Sequence, residues 1–181
     1  MGEIAERYRR RADAFERKVA AVRADQWGNQ SPCAGWTARA VVEHVVTLHG
    51  AMLAPVARKL EPSDDPLTAF QEARAAIEDV LDDPVAALTE TDTPDGPMTT
   101  ERHIDEVVSD DLVVHGWDLA RATGQDEAMD PVDIERLWAT AVATPPELME
   151  KHRAGVYGAE VPVAADAPLQ DRLLGLLGRE P

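Results

Sequence analysis

The stretch IDEVVSDDLVVHGWDLARA (residues 104–122) has the apolar spacing of an amphipathic α-helix. Its apolar residues recur at steps of three and four, which aligns them along the side of a helix that faces a core. These residues are Ile104, Val108, Leu112, Leu119 and Ala122. Asp111 and His115 lie on the same side, four residues and therefore about one turn apart. A core-facing helix that carries a carboxylate and an imidazole needs partners for both.

A second helical pattern places another imidazole toward the core. The apolar positions of this pattern are Val41, Val45, Leu48 and Met52. His44 lies on the same side, and burial of even a neutral polar group without a partner costs about 2–7 kcal/mol. Two imidazoles and a carboxylate form a ligand set that leaves metal coordination positions open. The sequence therefore predicts that His44, Asp111 and His115 bind a metal; the alternative is a carboxylate that orients a buried histidine without metal.

The charge balance limits the classes of partner. The chain has 181 residues, with 18 Lys and Arg against 34 Asp and Glu, which gives a formal net charge of −16. Such a field repels phosphate backbones and anionic lipid, so no nucleic acid or membrane partner is expected. The basic residues near the start are interpreted as a solvated face rather than a binding site. They are Arg7, Arg9, Arg10 and Arg11.

Cysteine content and the first residues favour a cytoplasmic protein. Cys33 is the single cysteine, so no intrachain disulfide is expected. The first residues are charged and lack the apolar core of a secretion signal, and no apolar run reaches membrane-spanning length. No exposed apolar seam stands out, so the sequence leaves a homodimer open.

Capping residues, prolines and glycines divide the chain into helices with short connections. Predicted helices cover residues 3–26, 38–55, 66–81, 101–123, 131–151 (interrupted at 145–146) and 169–178, with a short further turn starting at 84. Residues 91–100 are predicted as a loop and 160–168 as a short extended piece. Long helices with little β signal indicate one all-α domain, a four-helix bundle at about 3–124 with a C-terminal extension at about 125–181.

Two further polar residues near the predicted site are left with open roles. Asp118 follows Asp111 by seven residues, and a structural role is favoured for it. It either accepts a hydrogen bond that fixes an imidazole tautomer or bonds the backbone or the neighbourhood of Trp117, and the second of these is the structural role that is favoured. Cys33 precedes the helix of His44, where helix N-termini can activate thiols, but no second cysteine supports a metal-binding or catalytic thiolate.

The remaining candidates are assigned packing or surface roles. Trp36 and Trp117 flank the predicted ligands and are expected to pack and exclude water. His49 is five residues from His44 and should point to a different side of the helix. The residues expected at the surface are His103, His152, Glu101, Asp105 and Glu106.

Three segments together resemble the actinobacterial DinB/YfiT-like superfamily. They are SPCAGWTARAVVEHVV (31–46), DDLVVHGWDLARATGQ (110–125) and DRLLGLLGREP (171–181). The chain is most similar to the metal-binding group related to the N-terminal domain of mycothiol-dependent maleylpyruvate isomerase, over nearly its whole length. The resemblance implies a DinB-like four-helix bundle with an unusual connection order and a divalent metal held between helices.

The resemblance also implies the ligands. The two histidine ligands of the superfamily match His44 and His115. The third ligand is often glutamate in isomerase-like members and matches Asp111, which is shorter by a methylene group. The metal would therefore lie nearer this helix or be reached through water. Zn²⁺ is favoured, with Ni²⁺, Fe²⁺ and Mn²⁺ left open.

Many superfamily members are transferases or isomerases that use a small cellular thiol, so the resemblance favours a mycothiol-type, thiol-dependent enzyme. A metal-bound thiol is deprotonated and could attack a small electrophilic substrate. Arg39 or Arg121 could hold a substrate carboxylate, and no catalytic residue is assigned. Two alternatives stay open: a non-catalytic metal-binding or regulatory bundle, and an empty site in which Asp111 pairs with His115.

Overall fold

The computed structural model describes residues 2–93, 96–155 and 157–181, which are mainly helical. The helices are α1 (Glu3–Ala20), α2 (Ala38–Leu53), α3 (Pro66–Asp82), α4 (Pro84–Ala87), α5 (Thr100–His103), α6 (Asp110–Thr123), α7 (Pro131–Ala143), α8 (Pro146–Gly155) and α9 (Leu169–Leu176). Predicted starts are confirmed where a side chain caps the helix by accepting hydrogen bonds from backbone N–H groups. These caps are Thr37, Asp65, Asp83 and Asp130. The predicted end of α6 is also confirmed, because Gly124 adopts the left-handed conformation with φ 66°.

Helices α1 and α2 lie at opposite corners of a four-helix bundle. Each of them packs against α3 and α6, so two helices that follow each other in sequence are diagonal in space. This is the unusual connection order that the resemblance implied. The core between the helices is filled by side chains that are at most 1% exposed, among them Tyr8, Phe15, Leu53, Phe70 and Ile77. The all-α, DinB-like bundle is confirmed.

A second apolar cluster joins the C-terminal helices to the outer side of α6. Val114 of α6 packs with residues of α7 and of the segment that begins with α9, namely Ile134, Leu137, Leu173 and Leu177. α7 and the segment that begins with α9 therefore contact the bundle along the helix that carries Asp111 and His115. Within the described ranges, no helix is both long enough and apolar enough to cross a membrane.

Two helix ends differ from the prediction. α1 ends at Ala20 rather than near residue 26, because Gln26 accepts a hydrogen bond from Arg23 N–H and donates to the Thr123 carbonyl, which draws this segment to the end of α6. α8 continues to Gly155 instead of ending near residue 151. Residues 160–168 contain no strand; Val161 N–H donates to the Gly175 carbonyl instead.

The predicted loop at 91–100 was wrong. The chain forms two antiparallel strands, β1 (Glu90–Thr93) and β2 (Gly96–Thr99), with Glu90 opposite Thr99 and Thr93 opposite Gly96. β-Branched threonines favour strands, whereas the prediction weighed only the turn-forming residues between them. The expected turn at 94–95 lies outside the described residues.

The predicted helix at 101–123 is helical along its whole length, but it is not one uninterrupted α-helix. A π-helical segment, Ile104–Ser109, separates α5 from α6. Its wider turns change the helical register, so the α-helical spacing does not place side chains correctly before residue 110. Ile104, Val108, Leu112 and Leu119 are nevertheless buried as predicted, and the remaining predicted core residue, Ala122, is partly buried.

The arginine cluster of α1 is only in part a solvated face, because Arg10 is exposed but Arg7 and Arg9 are half-buried and Arg11 is buried. Arg11 is only 2% exposed; it donates to Asp133 at 2.8 Å and also contacts Asp110. Arg7 binds both carboxylate oxygens of Asp105 at 2.8 Å. Asp105 is 5% exposed, so its predicted surface position was wrong as well. Burial raises the pKa of Asp105, but the hydrogen bonds from Arg7 and Arg136 outweigh that effect and leave it below its ordinary value.

Removal of Arg11 should destabilise the fold strongly, since Asp133 and Asp110 would lose the buried cation that they share and keep only the more exposed Arg10 and Arg136. We expect Arg11→Met to lower the free energy of unfolding by about 3–5 kcal/mol. The matched control is Arg23→Met, because the Arg23–Asp25 pair is exposed and should contribute at most about 1 kcal/mol. Urea denaturation of both variants tests this, and equal effects would contradict the structural role of Arg11.

Buried His49 should make stability depend on pH. One ring nitrogen is 2.7 Å from the Val45 carbonyl and the other is 3.0 Å from the Tyr8 hydroxyl, and burial lowers the pKa of His49 from 6.5 to about 4. Between these values the unfolded chain binds a proton that the folded chain does not. Above about pH 6.5, His49 therefore does not lower the free energy of unfolding. As the pH falls toward 4, His49 lowers the free energy of unfolding by roughly 3 kcal/mol, at about 1.4 kcal/mol per pKa unit.

Urea unfolding of His49→Gln across this range should show a shallower decline. His103→Gln serves as the matched histidine control and should keep the decline of the original protein. A decline that is unchanged in His49→Gln would show that other groups cause it.

Candidate metal centre

The three predicted ligands meet where α2 faces α6. The Asp111 Oδ1 atom lies 3.3 Å from His115 Nε2 and 3.7 Å from His44 Nε2. The two imidazole rings are 4.9 Å apart in an edge-to-face arrangement. One ligand atom from each residue lies within 4.8 Å of the others, so small side-chain movements would let all three contact one ion. The structure therefore brings the three residues together; their role as metal ligands stays a prediction.

The three side chains form a gradient from solvent to core. The exposed fraction is 35% for His44, 17% for Asp111 and 7% for His115. Trp36 covers the two imidazoles: its ring centre is 4.7 Å from that of His44 and 5.8 Å from that of His115, on which it stacks. This contact agrees with the packing role expected for Trp36. Solvent reaches the site mainly on the His44 side.

Asp111 has one carboxylate oxygen that is short of a partner. Its Oδ1 atom faces both imidazoles, but its buried Oδ2 atom has no hydrogen-bond partner among the described residues. Buried carboxylate oxygens are normally satisfied, so such an atom requires an explanation. A cation held between the two imidazoles and this carboxylate would provide one.

The charges of the site are strongly coupled. Burial raises the pKa of Asp111, but His115 and His44 outweigh it and hold that pKa well below its ordinary value. Burial lowers the pKa of His115, but Asp111 and Asp118 outweigh it and raise that pKa well above its ordinary value. The protein alone therefore pairs an anionic Asp111 with a cationic His115. A metal ion would replace the proton on the nitrogen that faces Asp111.

Asp118 fixes the other ring nitrogen of His115. Asp118 is fully buried, and its Oδ2 atom is 2.8 Å from His115 Nδ1. With Nδ1–H donating to Asp118, Nε2 faces Asp111 and His44. This contact matches the interpretation in which Asp118 accepts from an imidazole, and not the structural bond near Trp117 that the sequence favoured.

Cys33 belongs to a second group of close ligand atoms, with His115 and Asp118. Its thiol donates to Asp118 Oδ2 at 3.3 Å. The guanidinium of Arg179, however, lies 3.0 Å from the same oxygen and 3.5 Å from Cys33 Sγ. A fixed positive charge there repels a metal ion, so the geometry favours the group that contains His44 and Asp111.

Sequence reasoning missed Arg179. It is 61 residues from Asp118 in sequence, and no spacing rule links a residue beyond α9 to α6. The one sequence feature that pointed to Arg179 was its position in the segment 171–181, which carries the family resemblance but to which the resemblance assigned no site residue. The arginines that were predicted near the mouth make other contacts: Arg39 donates to the Asp64 carbonyl and Arg121 pairs with Glu127.

The other histidines lie apart from the site. His49 faces the core next to Tyr8, on a different side of α2 from His44, as the spacing predicted. His103 and His152 are partly buried rather than fully exposed, and His152 packs against Tyr157.

Comparison with known proteins identifies the family. Residues 8–91 match the family model described as the mycothiol maleylpyruvate isomerase N-terminal domain. Two Mycobacterium tuberculosis proteins, uncharacterized protein MT0763 (strain CDC 1551 / Oshkosh) and uncharacterized protein Rv0738 (strain ATCC 25618 / H37Rv), are each 32% identical over 176 residues. The alignment covers 95% of this chain and 95% of each relative. No solved structure matches. The chain belongs to the mycothiol maleylpyruvate isomerase N-terminal domain family.

Proposed function

We propose that the protein binds a divalent metal ion through His44, Asp111 and His115 and uses it to activate a small thiol of the mycothiol type for transfer or isomerisation. The observation that carries the metal site is the carboxylate of Asp111, whose Oδ1 atom faces both imidazoles and whose buried Oδ2 atom has no hydrogen-bond partner among the described residues. The family match, whose model is named for a mycothiol-dependent isomerase domain, supports the thiol.

The donor set fits Zn²⁺ better than harder cations. Imidazole nitrogens and a carboxylate oxygen are common zinc ligands, and three protein ligands leave a position for water or substrate. When bound, the ion would hold an incoming thiol as the nucleophilic thiolate. Ni²⁺, Fe²⁺ and Mn²⁺ share enough of these preferences to be tested beside it.

The surrounding residues of the chain have distinct tasks in this proposal. His44, the most exposed of the three, borders the side from which a thiol and a small electrophile enter. Trp36 covers both imidazoles and limits access of bulk water. Asp118 keeps Nδ1 of His115 protonated, which leaves Nε2 available to the ion.

Metal content is the first test. Protein purified without a metal-binding tag should contain close to one divalent ion per chain, and His44→Ala should lose it because two ligands cannot retain the ion. His103→Ala is the matched control and should keep its metal. Elemental analysis measures both variants. No metal in the original protein, even after incubation with Zn²⁺ at neutral pH, would contradict the metal site.

A metal-loaded protein can still be a non-catalytic module, which is the alternative function. Assays with a small thiol and a panel of electrophiles separate the two functions. Turnover that disappears in His44→Ala supports the enzyme. Full metal loading with no turnover across the panel supports a metal-binding or regulatory bundle.

Trp36 should report metal binding optically. Co²⁺ quenches nearby indoles, and the Trp36 ring lies 4.7 Å from the His44 ring. We expect Co²⁺ titration to quench part of the tryptophan fluorescence, and Trp36→Phe to lose most of this change while still binding the ion. Trp138→Phe, on α7, is the matched control and should keep the quenching. Equal quenching in both variants would place the ion elsewhere.

A further inference from the structure

Arg179 reaches the candidate metal centre from beyond the end of α9. The side chain is only 6% exposed. Its Nη2 atom donates to Asp118 Oδ2 at 3.0 Å, and its Nε atom donates to Oδ1 at 3.3 Å. The third guanidinium nitrogen donates to the Leu177 carbonyl at 2.8 Å. The guanidinium is therefore held in one orientation, with two of its donors on one carboxylate.

We propose that Arg179 is a positioning residue for the metal centre, acting through Asp118 on His115. This inference rests on the proposed metal site. Asp118 is the link, because it is fully buried and contacts both Arg179 and the Nδ1 atom of His115. Arg179 does not touch the proposed ligands in any contact of the described residues.

The charges explain why Asp118 needs Arg179. A histidine whose Nε2 binds a metal is neutral, so His115 then gives Asp118 a hydrogen bond but no positive charge. Arg179 is the cation that still contacts this buried carboxylate. It keeps the carboxylate as an acceptor, which holds the proton on Nδ1 and presents Nε2 to the ion. The two-oxygen contact also fixes the carboxylate plane, which a lysine ammonium does less well.

The backbone before Arg179 is fixed by close packing. Gly178 has φ 79°, and a Cβ atom at this position would lie 2.6 Å from the Cα atom of Gly158. The backbone N–H of Arg179 donates to the Leu174 carbonyl at 2.8 Å. Glycine is therefore required at 178 on two grounds, conformation and contact. The segment from 158 to 179 thus completes a site whose proposed ligands lie on α2 and α6.

Metal affinity tests the proposal directly. In competition with a chelator, Arg179→Gln should bind Zn²⁺ about 10- to 100-fold more weakly, the usual effect of removing a residue that orients a metal ligand. Arg179→Lys should recover part of the loss and serves if the Gln variant does not fold. Arg172→Gln is the matched control, since Arg172 lies on α9 with its guanidinium 4.6 Å from the Trp138 ring. Unchanged affinity in Arg179→Gln would overturn the proposal.

A double-mutant cycle separates positioning from general stability. If Arg179 acts through Asp118, then Arg179→Gln should cost little further affinity in an Asp118→Asn background. The absorption spectrum of bound Co²⁺ should shift in the same way in Arg179→Gln and Asp118→Asn. Losses that multiply, or a Co²⁺ spectrum unaffected by Arg179→Gln, would assign Arg179 a merely structural role.

A metal-free measurement distinguishes failure of this proposal from failure of the metal site. In the original protein the His115 Nδ1–H proton, bonded to buried Asp118, should exchange slowly and give an NMR signal. Arg179→Gln should weaken this signal, because the accepting carboxylate loses the two-oxygen contact that fixes its plane, and Arg172→Gln should retain it. A protein that binds no metal but shows this pattern refutes the proposed function alone, whereas a signal that persists in Arg179→Gln refutes the coupling.

Discussion

The structure depends on ion pairs between arginines and the buried carboxylates of one continuous helical segment. The π-helical segment and α6 present Asp105, Asp110, Asp111 and Asp118 to neighbouring elements, and an unpaired buried charge costs several kcal/mol. Arginines from distant parts of the chain contact three of them: Arg7 and Arg136 contact Asp105, Arg11 contacts Asp110, and Arg179 contacts Asp118. Among the described residues, Asp111 is the member of this set that no arginine or lysine contacts.

That exception explains why the candidate site is where it is. Asp111 faces two imidazoles, which are weaker and titratable partners, and its second oxygen has no hydrogen-bond partner in the part of the chain that the structure describes. The same chemical group therefore has a different role at each position. Arg7 and Arg136 pair with Asp105, which gives it a structural role. Asp111 has two histidines as partners instead and can still bind a cation. The site is defined as much by the absence of an arginine as by the presence of the histidines.

The sequence predicted which candidate ligands would lie together but not the side chains that surround them. The difference lies in the sequence separation of the residues that interact. Asp111 and His115 are one helical turn apart, so their relation follows from local geometry, and His44 follows from the apolar side of its own helix. Helix starts at Asp65 and Asp130 were equally local. The change to π-helical geometry before Asp110 has no comparable local signal.

Ion pairs between residues far apart in sequence were not predicted. Asp105 was predicted on a solvated face because its neighbours Glu101 and Glu106 are charged, yet Arg7 reaches it from α1 across 98 positions in sequence. Arg11 was predicted in solvent for the same reason. A charged residue beside charged residues resembles a surface pattern until its partner is known, and a single sequence does not show partners. Composition therefore established the acidic excess without showing which acids are buried.

These ion pairs bear on specificity more than on net stability. A buried pair costs desolvation that its attraction offsets only in good geometry, so apolar residues of similar size would stabilise a bundle as well. The pairs restrict how the helices can pack. α1 must place Arg7 against the π-helical segment and Arg11 against α7, and the chain beyond α9 must place Arg179 against Asp118. A different packing of these elements would leave charges buried alone. Because Asp118 also holds His115, the arrangement that satisfies the charges is the one that aligns the candidate metal centre.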